Sequence, residues 1–112
     1  MDCVFCKIAS GEIPSQFVYQ DDEIVAVRDI HPVAPTHVLV IPREHIVSVA
    51  DLSEDLASLV GKMATIAGQL AKKEGVADSG FRLVINNGPD AGQEISHLHM
   101  HLIGGRRLGP LG

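Results

Sequence analysis

Three histidines near the C-terminus, His97, His99 and His101, are the residues of this chain best suited to chemistry, and single apolar residues separate them. Because alternate side chains of a β-strand point to the same face, this spacing predicts a strand that presents three imidazoles in a row over about 13 Å and buries the residues between them. Imidazole titrates near neutral pH, acts as a nucleophile and binds zinc. The row is therefore predicted to be a catalytic site or a metal site.

Two kinds of chemistry fit this histidine row. In the first, the three imidazoles together hold a zinc ion that keeps an open position for water, as in zinc-dependent hydrolases. In the second, one imidazole attacks phosphorus and forms a covalent nucleotidyl-histidine, while a neighbour manages the proton or the phosphate charge. A nucleotide-binding regulatory module with little or no turnover is a third interpretation, from another functional class.

The loop directly upstream of the histidines favours chemistry at phosphorus. It contains Gly88 and Gly92 together with the adjacent Asn86 and Asn87. Glycine lets the backbone approach an oxyanion closely, and such donors stabilise the charge that develops on a phosphate. The sequence has no cluster of carboxylates suited to Mg²⁺, so we expect phosphoryl chemistry that does not require this ion.

Length and charge limit the class of protein. The 112 residues are predicted to form a single domain, 1–112, and 46% of them are hydrophobic, which is enough to fill one core. The net charge of −5 argues against a nucleic-acid polymer as partner, because no basic stripe is available to neutralise a run of phosphates. The sequence contains no signal pattern or membrane-spanning apolar run, so we expect a cytoplasmic protein without a membrane partner.

Cys3 and Cys6 are the two cysteines of the chain, in a C-x-x-C spacing. A disulfide between them would close a very small loop and contribute little to stability. In a cytoplasmic protein such a pair is more typical of a metal site or of redox chemistry. Cys3 lies too close to the start of the chain to follow the strand of a thioredoxin-like motif, so zinc ligation is favoured over an unmetallated or a redox pair.

The remaining pattern predicts two helices and five strands. Ser53 is a natural N-cap for the longer helix, whose apolar residues recur with the helical period. A hairpin at the start and few crossover helices favour an α+β domain with a five-stranded antiparallel sheet and helices on one face. The predicted helices cover 3–9 and 53–74, and the predicted strands cover 17–20, 24–27, 37–41, 81–86 and 97–103.

Five segments of this chain, in order, match the motifs of a known family. They are 3–8 with 11–14, 34–37 with 40–42, 92–93, 97–103 and 104–106. By these motifs, which extend over nearly the whole chain, the protein resembles the histidine triad (HIT) superfamily, and within it the zinc-binding bacterial type of the HINT-like purine nucleoside phosphoramidases. The resemblance implies the HIT-like fold and a homodimer with the long helix and a neighbouring strand at its interface.

The resemblance also implies a reaction. Members of this kind cleave purine nucleoside phosphoramidates such as adenosine 5′-monophosphoramidate. By analogy, His99 attacks the α-phosphorus, and the backbone carbonyl of His97 orients its ring. His101 contacts the phosphate or the bridging atom, and His37 lies behind it as a proton-relay partner. Water then releases the nucleotide, AMP or GMP, from His99.

The same resemblance implies a nucleotide site. Asp29 binds the ribose hydroxyls, and Asn86, Gln93 and the backbone of Glu94 bind phosphate oxygens beside Gly92. Glu94 departs from the small hydroxyl residue that many members carry at this position. The implied walls of the base pocket are Phe5, Ile8, Ile13, Val27 and Leu39.

A structural zinc site is implied as well. Some bacterial members are similar in having a set equivalent to Cys3, Cys6, His45 and His97, a Cys₂His₂ site of the closed type. Zinc in such a site ties the N-terminus to the sheet and fixes His97 beside the nucleophile, so its role is structural and not catalytic.

Overall fold

Five strands and two α-helices make up the fold in a computed structural model that describes residues 3–112. The helices are α1 (Val4–Ser10) and α2 (Ala57–Lys73), and the strands are β1 (Phe17–Gln20), β2 (Ile24–Arg28), β3 (Thr36–Pro42), β4 (Phe81–Val84) and β5 (Met100–Gly104). The strands form one sheet in the order β1-β2-β3-β5-β4, and every neighbouring pair is antiparallel. The predicted α+β fold, with one long and one short helix, is confirmed.

The sheet separates two apolar cores. On one face, Ile24 of β2 packs in a cluster with Met63 of α2. On the other face, Val25 packs in a cluster with Phe5 of α1. The prediction that both helices lie on one face is therefore wrong. Because β2 and β3 carry apolar residues at nearly every position, both faces of these strands need a cover, and the short helix supplies the second one.

The predicted start of α2 and the predicted end of β4 differ from those in the structure. A separate 3₁₀ turn, Glu54–Leu56, precedes α2, and the side chain of Ser53 makes no capping hydrogen bond there. β4 ends at Val84, two residues earlier than predicted, because its last ladder pair with β5 joins Val84 to His101. Neither α-helix in the described part of the chain is long and apolar enough to span a membrane.

The histidine row is only partly a strand. β5 begins at Met100, so His97 and His99 lie in the segment before it. The backbone N–H of Leu98 donates to the carbonyl of Ile46 at 2.6 Å, which takes this segment away from the ladder with β3. Leu98 and Met100 are nevertheless buried, as the alternating pattern predicts.

Glycine is required at two turns for different reasons. Gly11 ends α1 with φ +86°, and a Cβ there would have nothing within 4 Å. Gly105 follows β5 with φ +96°, and a Cβ there would lie 2.9 Å from Cβ of Pro35. Gly105 therefore combines a left-handed backbone with a close approach to the loop before β3.

Replacement of Gly105 by alanine is expected to destabilise the protein more than replacement of Gly11. Gly11→Ala adds only the strain of a left-handed backbone, about 1 kcal/mol. Gly105→Ala adds the clash with Pro35, and overpacking costs roughly a further 1–3 kcal/mol. Urea unfolding followed by circular dichroism measures both free energies of unfolding. Equal losses would contradict the close packing of Gly105 on Pro35.

Candidate active site and metal centre

The backbone two residues upstream orients His99. Its Nδ1 donates to the carbonyl oxygen of His97 at 2.7 Å. In neutral imidazole the other ring nitrogen, Nε2, then carries the lone pair. The ring is buried and packs edge-on against Phe5, with 4.8 Å between the ring centroids. The hydrogen bond and the packing hold the imidazole in the orientation and tautomer of a nucleophile.

A cavity of about 530 Å³ lies against His99 and His101. Its volume is in the range of roughly 300–1,000 Å³ that is typical of small-molecule sites. Its walls combine an apolar group of side chains with polar groups near the histidines. The predicted site residues that line it are Phe5, Ile8, Val27, Asp29, His37, Leu39, Asn86, Gly92, Glu94, His99 and His101.

Two predicted nucleotide-binding residues, Ile13 and Gln93, are absent from the described lining of this cavity. The Gln93 amide instead forms hydrogen bonds with its own loop and with Val47 of a distant segment. Its Oε1 accepts from the backbone N–H of Gly88 at 2.8 Å, and its Nε2 donates to the carbonyls of Val47 and Ile95 at 2.7 and 3.2 Å. This side chain shapes the loop whose backbone borders the cavity.

The loop between β2 and β3 supplies cavity residues that sequence reasoning missed. The structure places Ile30, His31 and Val33 of this loop in the lining. The signal that could have found them is Asp29, whose Oδ1 accepts the backbone N–H of His31 at 2.8 Å. Such a turn is typical of aspartate in loops, and here it carries the chain along the cavity. Val4, Ser15, Arg28 and Ile95 were also missed.

His37 and His101 form a hydrogen-bonded relay whose tautomers the backbone determines. The backbone N–H of Val33 donates to Nδ1 of His37 at 3.2 Å, so the ring proton of His37 is on Nε2. This Nε2 lies 2.9 Å from Nδ1 of His101 and 3.4 Å from Oδ2 of Asp29. His101 therefore accepts at Nδ1 and carries its own proton on Nε2.

Burial keeps both rings of this relay uncharged at neutral pH. Desolvation lowers the pKa of His37 against the opposing effect of Asp29. Desolvation, together with the neighbouring His99 and His37, lowers the pKa of His101 to about 4. Each ring then has one donor and one acceptor nitrogen, which is the condition for passing a proton along the pair.

The four residues predicted to bind zinc come together in one cluster, which consists of Cys3, Cys6, His45 and His97. Their ligand atoms all lie within 4.8 Å of one another. Nδ1 of His97 lies 3.3 Å from Sγ of Cys3, 3.6 Å from Sγ of Cys6 and 3.2 Å from Nδ1 of His45. Given the usual Zn–S and Zn–N distances, the edges of a tetrahedral site are about 3.3–3.8 Å, so these spacings fit a zinc site.

The second hydrogen bond of His97 also suits a metal ligand. Its Nε2 donates to the carbonyl of Pro42 at 2.8 Å, which leaves the lone pair on the Nδ1 that faces the cysteines. Burial lowers the pKa of His97, which keeps the ring uncharged and able to ligate. The cluster therefore has the donor set, the spacing and the tautomer of a structural zinc site.

A second group of potential ligands, Asp29, His37 and His101, has a different character. Its ligand atoms also lie within 4.8 Å of one another. However, the Val33 N–H occupies Nδ1 of His37, so Nε2 of this ring carries a proton and has no lone pair for a metal. The hydrogen bonds of this group suit the passage of a proton better than the binding of a metal.

The structure does not group the ligand atoms of His97, His99 and His101 around one point, as a zinc site shared by the three rings would require. The His97 ring is turned towards the cysteines, and Nδ1 of His99 is bonded to a carbonyl. His101 pairs with His37. β5 begins only after His99, at Met100, and although the three rings lie on the face opposite the buried spacers, their hydrogen bonds give each ring a different partner.

Comparison with known proteins is consistent with this geometry. Over 110 residues the chain is 49% identical to a purine nucleoside phosphoramidase of Escherichia coli (strain K12), which covers 98% of this chain and 92% of the relative. It is 45% identical over 109 residues to a 14 kDa zinc-binding protein of Brassica juncea, with 96% of each chain covered. Among solved structures, a HIT family hydrolase of Legionella pneumophila Philadelphia 1 superimposes with a TM-score of 0.95 at 46% identity, with 96% of each chain covered.

The profile of the HIT domain family matches residues 10–108, which include the relay, the His99 site and two of the four residues of the cysteine–histidine cluster. Together with the identity to full-length relatives, this match shows that the chain belongs to the HIT domain family.

Proposed function

We propose that this protein is a hydrolase that cleaves the P–N bond of purine nucleoside phosphoramidates through a covalent nucleotidyl-histidine on His99. The observation that carries the proposal is the 2.7 Å hydrogen bond from Nδ1 of His99 to the carbonyl of His97, which leaves Nε2 as the nucleophilic atom in a cavity of suitable size. The relationship to a purine nucleoside phosphoramidase supports the choice of substrate.

The proposed reaction has two steps. Nε2 of His99 attacks the α-phosphorus, and the P–N bond to the amine breaks as the amine takes the proton from Nε2 of His101. The negative charge left on the His101 ring is balanced by the positive charge that the attack places on the His99 ring, 5.1 Å away between ring centroids. Water then attacks the phosphorus of the nucleotidyl-histidine and gives a proton back to His101, while the P–N bond to His99 breaks. Imidazole suits both steps because it attacks as the neutral base and leaves readily. The two steps use imidazoles and hydrogen-bond donors only, so we propose that the reaction does not require Mg²⁺.

The cavity walls support the proposed substrate orientation. Asp29 would bind the ribose, and Asn86, Gly92 and the backbone of Glu94 would bind the phosphate, since all four residues line the cavity. Gln93 contributes by holding this loop, as its amide bonds require. The purine would lie against the apolar wall of Phe5, Ile8, Val27 and Leu39, and Ile13 would support that wall from outside the lining.

We further propose that the cluster of Cys3, Cys6, His45 and His97 binds Zn²⁺ as a structural ion. The zinc would connect α1 to the segment before β5 and so steady the carbonyl of His97 on which His99 depends. No disulfide joins Cys3 to Cys6 in the structure. Reduced thiols of this kind are typical of the cytoplasm, where we place the protein.

A homodimer through the edge of the sheet is also proposed. β4 is an outer strand, and its Phe81 and Leu83 are 37% and 38% exposed. An exposed apolar edge strand requires a cover, which a second copy of β4 and α2 would provide.

Replacement of His99 by asparagine tests the reaction. His99→Asn removes the nucleophile but not the cavity, so we expect hydrolysis of adenosine 5′-monophosphoramidate to fall by at least about 10³-fold while AMP still binds. Mass spectrometry of the rapidly quenched wild-type protein is expected to locate AMP on the peptide that contains His99. Tight AMP binding by the wild type without release of amine would instead favour a regulatory module.

Removal of zinc tests the metal proposal. Elemental analysis is expected to give about one Zn²⁺ per chain, and Cys6→Ser should lose it and lower the melting temperature. His31→Gln, which changes a histidine outside the cluster, should keep the ion. A chelator is expected to slow hydrolysis through loss of structure. Complete loss of hydrolysis with an intact fold and melting temperature would point to catalytic zinc instead.

The dimer proposal predicts a change in sedimentation. Leu83→Lys places a charge on the exposed edge of β4, so the protein is expected to sediment as a monomer where the wild type sediments as a dimer. Glu12→Lys, an exposed site near α1, is the matched control and should leave the dimer intact. Monomeric wild-type protein would contradict the proposal.

A further inference from the structure

A residue outside the cavity holds the loop that sets the tautomer of His37. Arg106 follows β5, and its Nε and Nη2 both donate to the carbonyl oxygen of Val33, at 3.1 and 2.9 Å. Its Nη1 donates to the carbonyl of Arg107 at 2.9 Å, which holds the guanidinium in this direction. Arg106 itself does not line the cavity within the described residues.

The neighbouring glycine fixes the same loop at a second point. Gly105 approaches Pro35 so closely that a Cβ would lie 2.9 Å from the proline ring. The segment after β5 therefore contacts the loop between β2 and β3 both by packing, at Pro35, and by hydrogen bonding, at Val33. These contacts determine where the backbone of Val33 lies relative to β3, which carries His37.

The position of the Val33 backbone matters because its N–H is the donor to Nδ1 of His37. If that donor moves away, only the Asp29 carboxylate, 3.4 Å from Nε2 of His37, still favours the proton on Nε2. The proton could then lie on Nδ1, and Nε2 of His37 would face Nδ1 of His101 with a lone pair at 2.9 Å. To avoid this repulsion His101 would move its proton to Nδ1 and lose the donor at Nε2.

On the basis of the proposed function, we propose that Arg106 is a positioning residue for proton donation by His101. By holding the carbonyl of Val33, it keeps the Val33 N–H on His37, and His37 in turn keeps the proton of His101 on the nitrogen that serves the leaving amine. The effect passes through two hydrogen bonds and requires no contact of Arg106 with the substrate.

The first test measures tautomers without substrate. Imidazole ¹⁵N chemical shifts distinguish protonated from unprotonated ring nitrogens, and they are read for His37 and His101 in the histidine-labelled full chain. In the wild type we expect both rings to be protonated at Nε2. In Arg106→Met we expect a mixture of tautomers at His37 and at His101. Arg107→Met removes the same charge from the adjacent exposed residue and should leave both tautomers unchanged.

The second test measures turnover of adenosine 5′-monophosphoramidate. A general acid contributes roughly 10²–10⁴-fold to a rate. Partial loss of the correct tautomer in Arg106→Met is therefore expected to lower kcat by about tenfold. KM should change little, because Arg106 is not part of the cavity. Arg106→Lys, which restores one donor to the Val33 carbonyl, is expected to recover part of kcat, and Arg107→Met should match the wild type.

The two readouts separate this proposal from the proposed function. Unchanged tautomers of His37 and His101 in Arg106→Met would overturn the positioning role, whatever the activity. Failure of the wild type to hydrolyse the phosphoramidate would overturn the proposed function, while the tautomer comparison would still decide the role of Arg106. If Arg106→Met does not fold, Arg106→Gln is measured in its place and judged by the same tautomer criterion.

Discussion

The hydrogen bond from Nδ1 of His99 to the carbonyl of His97 is the contact on which the site depends. His97 serves this bond with its backbone, while its side chain belongs to the cysteine–histidine cluster and is bonded to Pro42. The Phe5 ring of α1 packs on both histidines, with centroid distances of 5.9 and 4.8 Å. The cluster, the first helix and the nucleophile are therefore joined through one residue. A displacement of His97 would alter the cysteine–histidine cluster, the packing of Phe5 and the orientation of the His99 ring together.

The histidines of the two clusters acquire different chemistry from the backbone atoms beside them. The carbonyl of Pro42 accepts a hydrogen bond from Nε2 of His97, so the lone pair on Nδ1 faces the cysteines. The backbone N–H of Val33 donates a hydrogen bond to Nδ1 of His37, so the proton of this ring is on Nε2 and faces His101. A histidine next to an acceptor can bind a metal with its other nitrogen, whereas a histidine next to a donor can pass a proton. Residue type alone does not distinguish these cases.

Much of the fold and part of the site could be predicted from the sequence, for identifiable reasons. The alternation around His99 predicted buried spacers correctly because a two-residue period constrains the backbone locally. The cysteine pair predicted a metal cluster from ligand chemistry. The direction of the His97 ring could be predicted only through the family resemblance, because its contacts with Cys3 and His45 span 94 and 52 residues, beyond the reach of any local pattern. The roles of Gln93 and of the loop at Val33 depend on similar long-range contacts, and no local pattern marks them.

Burial of His37 and His101 favours one arrangement of protons on the two rings. An imidazolium has two donors and no acceptor, so protonation of His37 would set an N–H of the ring against the N–H of Val33. Protonation of His101 would likewise oppose the proton that His37 directs at its Nδ1. Desolvation is the largest cause of the lowered pKa of both rings, and it brings that of His101 to about 4. The same burial that disfavours the charged rings therefore maintains the single arrangement of protons in which His101 has a donor to offer at Nε2.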